Sequence, residues 1–158
     1  MKWTNLFFSG FIVWLMQLIT VDILSINNVR PDFIVLLVLY WSIRYGRFIG
    51  VVSGTLIGFI VDLTGTATFF GLSPLIYSIT GYLSGTLNGT NTKLNPFYFS
   101  FFWVAILCLQ FLVFCGIQYQ ELWVLNKQLF FGKWFGTCVY TIALAGIIQL
   151  IYPLHRID

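Results

Sequence analysis

The sequence contains very little charge. Only 8% of its 158 residues are Asp, Glu, Lys or Arg, whereas 59% are hydrophobic and the mean hydropathy is +0.90. A soluble domain carries roughly 25% charged residues. A chain with so few charges cannot cover a surface that faces water, so the composition excludes a soluble globular protein and indicates an integral membrane protein. The net charge of +3 is too small to predict nucleic-acid binding.

Reactive side chains are also scarce. The sequence has one histidine, His155, and three cysteines that lie inside apolar runs without a CxxC pair. It lacks HExxH, GxSxG and a phosphate-binding glycine loop. We therefore predict no catalytic residue, no metal site and no cofactor, and we interpret the cysteines as small buried hydrophobic residues. Three amides within apolar runs are expected to form interhelical hydrogen bonds: Gln17, Gln110 and Gln149.

Long apolar runs dominate the chain. A helix needs about 20 residues to cross a hydrocarbon core of roughly 30 Å, and continuously apolar runs favour helices over the alternating strands of a membrane barrel. We predict an all-α integral membrane protein with six transmembrane helices in one domain, residues 1–158. The predicted spans are about 6–24, 31–46, 48–63, 72–87, 97–117 and 134–152.

The distribution of positive charge predicts the orientation. Six spans place both termini on the same side, and cytoplasmic loops carry the excess of Lys and Arg. With the termini in the cytoplasm, the inner side holds Lys2, Arg44, Arg47, Lys93 and Arg156. The outer side then holds Arg30, Lys127 and Lys133. The connection over 118–133 would lie outside, either flat in the membrane interface or docked against a partner.

Two series of glycines are spaced for helix packing. Association of helices in lipid depends on close backbone approach, which small residues permit. Glycines recur every four residues in each of two predicted spans: Gly50, Gly54 and Gly58 in the third, and Gly81, Gly85 and Gly89 in the fourth. A short turn joins these spans, so we predict that the two ridges pack this antiparallel pair, or pack it against a third helix. Docking of another protein on one ridge is the alternative.

Acidic residues collect near the predicted outer ends of the spans. An Asp at the centre of a span costs about 2.5–3.5 kcal/mol on insertion scales, and less near an end. We predict a polar cluster of Asp22, Arg30, Asp32 and Asp62 around Pro31, with Arg30 as counter-charge. The alternative is a set of interface charges that never meet.

An ordered series within residues 30–85 resembles the bacterial rod-shape-determining protein MreD family. Its elements are Pro31-Asp32, the basic pair Arg44 and Arg47, Gly54 and Gly58 with Asp62, Gly71-Leu72, and Gly81-Tyr82. The resemblance covers about a third of the chain, and no single motif within it is specific. It implies a non-enzymatic scaffold of the cell-elongation machinery in the bacterial cytoplasmic membrane. Such proteins bind the bitopic MreC, which connects them to MreB filaments and peptidoglycan synthases.

The MreD family is in turn similar in fold to the substrate-binding subunits of energy-coupling-factor transporters, which have six helices. This leaves a second hypothesis, a subunit that binds a vitamin or another small solute near the outer face. Those subunits often carry an Ala-xxx-Ala helix, and this chain contains none. The scaffold interpretation is therefore favoured.

Overall fold

The computed structural model describes residues 3–23, 31–64, 69–90 and 95–151. Within these ranges the chain is all-helical, as the sequence predicts, and has seven helices and no strand. The helices are α1 (Trp3–Ile23), α2 (Phe33–Tyr45), α3 (Arg47–Leu63), α4 (Leu72–Gly85), α5 (Pro96–Gln118), α6 (Gln120–Leu125) and α7 (Lys127–Ile151).

The three short helices α2, α3 and α4 pack on one another and form the best-buried part of the molecule. The contact between α3 and α4 is the most extensive in the structure, and α2 lies against both. The α2 side chains Ile34, Val35, Val38 and Leu39 are almost fully buried. Burial of this face in a helix of only 13 residues makes α2 a core element of the bundle.

The turn between α2 and α3 depends on Gly46. Its φ of +91° is favourable for glycine and strained for residues with a Cβ. Its N–H donates to the Ser42 carbonyl oxygen and closes α2. The Asn88 side chain, which follows α4, donates to the Ile43 carbonyl oxygen at 2.6 Å. The end of α2 is thus attached both to α3 and to the segment after α4.

The longer helices α5 and α7 form the other half. Within the described residues, two helical segments are long and apolar enough to cross a membrane. They are Phe97–Gln118, with a mean hydropathy of 2.3, and Lys127–Ile147, with a mean hydropathy of 1.3. A stripe of α5 residues spaced four apart is buried: Phe99, Trp103, Leu107, Phe111 and Cys115. This stripe joins the core between α4 and α7.

The connection predicted over 118–133 is largely helical. It consists of α6 and the first turns of α7, separated at Asn126, whose backbone is extended. The Asn126 side chain accepts a hydrogen bond from the Leu129 N–H at 3.3 Å, which caps the start of α7 in the usual manner. Val124 and Leu125 are each 80% exposed, so α6 presents apolar side chains on the outside of the bundle.

Candidate functional site

The α3–α4 contact is made by backbone atoms along a glycine seam, which consists of Gly50, Gly54, Gly58, Gly81 and Gly85. All five are buried. A Cβ on Gly54 would lie 2.5 Å from the Tyr77 carbonyl oxygen, and one on Gly50 would lie 2.6 Å from the Gly81 carbonyl oxygen. Real Cβ atoms essentially never approach so closely. The two helices therefore touch only because these positions carry no side chain.

The ends of the seam are equally tight. A Cβ on Gly58 would lie 2.5 Å from the Pro74 nitrogen, and one on Gly85 would lie 2.5 Å from the Arg47 Cα. The third helix of the unit also takes part, because the Ser42 hydroxyl of α2 donates to the Gly81 carbonyl oxygen. Gly89 lies beyond α4, where it has a φ of +70° and no atom of the described residues within 4 Å of its Cβ position. It belongs to a turn and not to the seam.

Asp62 lies at the far end of the seam, on the same face of α3 as the glycines. Its side chain is only 7% exposed. One carboxylate oxygen, Oδ2, accepts a hydrogen bond of 2.5 Å from the Gly71 N–H. Gly71 immediately precedes α4 and has a φ of +94°. Asp62 thus connects the end of α3 to the start of α4 across the short turn.

The second carboxylate oxygen of Asp62, Oδ1, is buried and has no hydrogen-bond partner among the described residues. An unsatisfied buried polar atom costs free energy, so this oxygen could accept a further hydrogen bond at the end of the seam. It is the main chemical irregularity of the site.

Asp32, at the start of α2, forms hydrogen bonds with both of its carboxylate oxygens. It is the N-cap of α2, and its Oδ1 accepts a hydrogen bond from the Val35 N–H at 3.1 Å. Its Oδ2 accepts a hydrogen bond of 2.8 Å from the Tyr77 hydroxyl of α4. One carboxylate therefore caps α2 and ties it to α4.

The start of α2 is also held by α1. The Gln17 amide donates to the Pro31 carbonyl oxygen at 3.1 Å and accepts from the Phe33 N–H at 2.9 Å. Pro31 is fully buried. Another interhelical amide, Gln110 of α5, accepts a hydrogen bond of 3.1 Å from the Thr80 hydroxyl of α4. The expected interhelical role is thus observed for Gln17 and Gln110.

The predicted polar cluster is only partly described. Pro31, Asp32 and Asp62 lie at the same end of the α2–α3–α4 unit, where Tyr77 links Asp32 to the seam. Asp22 belongs to the last turn of α1, and its side chain is not described. Arg30 lies outside the described residues. Among those described, no group of three His, Cys, Asp or Glu residues could hold a metal ion.

Sequence reasoning missed several residues of the site. Tyr77 is the most important, and its signal was available, because it precedes Gly81 and Gly85 at four-residue spacing and so shares their face. Ser42 and Asn88 carried no comparable signal, since a lone polar residue beside a turn does not reveal which backbone carbonyl it contacts.

Comparison with known proteins supplies the decisive observation. The family model of the rod shape-determining protein MreD matches residues 1–156, which is essentially the whole chain. The chain belongs to the MreD family. The match confirms the resemblance drawn from residues 30–85 and extends it over both halves of the molecule. No curated protein and no solved structure matches the chain.

Membership defines a general role. MreD proteins are membrane proteins that act in rod-shape determination. The apolar helices α5 and α7 fit a membrane location. The glycine seam and its polar end are therefore features of a membrane protein concerned with cell shape.

Proposed function

We propose that this protein is a non-enzymatic scaffold of the rod-shape machinery that binds an MreC-like bitopic protein in the bacterial cytoplasmic membrane. The family match is the observation that carries the proposal. The glycine seam supports it, because a backbone-packed unit is rigid and can present its outer helix faces to a partner in fixed geometry. Peptidoglycan synthases and MreB filaments would be reached through that partner.

The proposed topology has six membrane-crossing segments with both termini in the cytoplasm. At 1.5 Å per residue, α3 extends about 26 Å and α4 about 21 Å, against roughly 30 Å for the hydrocarbon core. If these short helices cross the membrane, the turns beside them lie within the hydrocarbon core. Their backbone N–H and C=O groups then need hydrogen-bond partners from the protein itself. Three hydrogen bonds at these turns supply such partners: Gly71 to Asp62, Asn88 to Ile43, and Gly46 to Ser42. Reporter fusions after residue 90 and after the C-terminus should both report the cytoplasm.

Affinity purification from native membranes tests the partner. The tagged full chain should recover an MreC protein, and Asp62→Asn should reach the membrane normally but recover less of it. The basis is the loss of the carboxylate charge at the end of the seam, because Asn keeps an oxygen that can accept from the Gly71 N–H. Absence of MreC from purifications of the unaltered chain would contradict the proposal.

The alternative function is binding of a small solute, as in energy-coupling-factor subunits. The buried, unpartnered Asp62 Oδ1 in the described structure is the observation that favours it. Native mass spectrometry of the purified chain should then show a water-soluble molecule that Asp62→Asn releases. Its absence in repeated preparations, together with MreC recovery, would favour the scaffold.

A further inference from the structure

A groove runs along the surface of the described helices between α1 and α3. Its volume is about 540 Å³, and residues from α1, α2 and α3 line it. Trp14 of α1 and Trp41 of α2 contribute aromatic rings, and Phe48, Val52 and Ile60 lie along α3. The volume falls within the range of small-molecule sites, roughly 300–1,000 Å³.

The groove has the length of a lipid chain. Its α3 wall extends from Phe48 to Ile60, which is about 18 Å along the helix axis at 1.5 Å per residue. Half of the hydrocarbon core of a bilayer is about 15 Å. An extended acyl chain that enters at the Phe48 end would therefore lie against the wall through the depth of one leaflet.

The groove walls are poorly suited to another transmembrane helix. Close helix packing in lipid relies on small residues, but the glycines of α3 all lie in the seam against α4. The groove side of α3 instead carries bulky side chains such as Phe48, Leu56 and Ile60, which are 45–77% exposed. Ser53 is a polar exception, and its hydroxyl is satisfied by the Gly50 carbonyl oxygen. A flexible chain can fill such an irregular apolar wall.

A positively charged residue, Arg44, lies in the last turn of α2, close in sequence to residues that line the groove. Arg44 falls between the lining residues Trp41 and Phe48, at the turn from α2 to α3, and is exposed. Its guanidinium donates to the Tyr40 hydroxyl at 2.9 Å and lies over the Tyr45 ring, 5.6 Å from its centre. These contacts leave other N–H groups of the guanidinium to bind phosphate, for which its fork geometry is suited.

We propose that this groove binds one acyl chain of an anionic phospholipid whose phosphate contacts Arg44. The observations that carry it are the dimensions of the groove, its bulky apolar walls and the charge of Arg44 in the last turn of α2, between lining residues Trp41 and Phe48. It does not depend on the scaffold function proposed above, because it concerns a different face of α3.

Native mass spectrometry tests this binding. The full chain is extracted in mild detergent and exchanged against equal amounts of phosphatidylglycerol and phosphatidylethanolamine. The unaltered protein should retain one phosphatidylglycerol with about fivefold preference, the effect of one cation near an anionic headgroup. Val52→Trp should fill the groove and release the lipid. The matched control Val113→Trp, on the exposed surface of α5, should retain it.

A second pair of variants tests the headgroup contact and needs no change in the groove itself. Arg44→Gln should abolish the fivefold preference while acyl-chain binding persists. Lys127→Gln, which removes an exposed charge at the start of α7, should preserve the preference.

Equal retention by Val52→Trp and Val113→Trp would overturn the proposal, as would equal retention of the two lipids by the unaltered protein. A photoreactive side chain at position 52 that labels a protein helix in native membranes, and not lipid, would also overturn it.

Discussion

The two halves of this molecule solve helix packing in different ways. In the α2–α3–α4 unit, glycines bring backbones into contact, and side-chain hydrogen bonds join helix ends. In the α5–α7 half, Gly116, Gly132 and Gly146 have no atom of the described part of the chain within 4 Å of their Cβ positions. Contact there is made by large side chains, for example the Trp134 indole, which donates to the Cys108 carbonyl oxygen at 3.3 Å. The seam glycines of the first unit cannot accept a side chain, whereas these three glycines of the second half can.

The difference between the two halves indicates which of them is better suited to partner recognition. Backbone contact fixes two helices closely in register, so a carboxylate at the end of the seam is held in a defined position. Contact between α5 and α7 is made by side chains instead, as at Trp134 and Cys108. The rigid unit is therefore the better candidate for partner recognition.

The largest effect is expected from bulk in the seam. Gly54→Leu forces side-chain atoms into the Tyr77 backbone and should lower the free energy of unfolding by about 3 kcal/mol. Gly116→Leu, which meets open space, should change it by less than about 0.5 kcal/mol. Denaturant unfolding in detergent measures both. Similar losses in the two variants would remove the distinction between the halves.

The next effect concerns the end of the seam. Asp62→Ala leaves the Gly71 N–H without its acceptor and should cost about 2 kcal/mol. Asp62→Asn keeps a side-chain oxygen and should lose clearly less under the same unfolding conditions. If both variants lose the same amount, the bond to Gly71 does not contribute to stability.

A smaller effect is expected at the link between α2 and α4. A double-mutant cycle with Asp32→Ser and Tyr77→Phe isolates their hydrogen bond, and the coupling free energy should be about 1 kcal/mol. Ser keeps an N-cap oxygen but has no second polar atom that could bond Tyr77, so the cycle does not report helix capping. A coupling indistinguishable from zero would show that the observed bond does not hold the helices together.

The smallest effect separates two buried threonines. Thr80→Val removes the hydroxyl that donates to Gln110 and should cost about 0.6 kcal/mol, the average for such bonds in membranes. Thr141→Val in α7 removes a hydroxyl that has no partner in the described residues, so it should be neutral or slightly stabilising. The reverse order of stability would contradict the assignment of these contacts.

Much of the α3–α4 contact was predictable from sequence. Glycines four residues apart define a helix face, and the short turn after Asp62 makes α3 and α4 neighbours. The Tyr77 link to Asp32 was not predicted, because an aromatic residue near a helix end is equally typical of the membrane interface. The helical form of residues 120–125 was missed because so short a segment carries little periodic signal.

One measurement tests most directly whether the rigid unit underlies partner recognition. Tagged unaltered chain, Gly54→Leu and Gly116→Leu are purified at equal membrane levels from native membranes, and the recovered MreC protein is quantified. We predict recovery with the unaltered chain and with Gly116→Leu, and strong loss with Gly54→Leu. Equal recovery with all three, or none with the unaltered chain, would contradict the account.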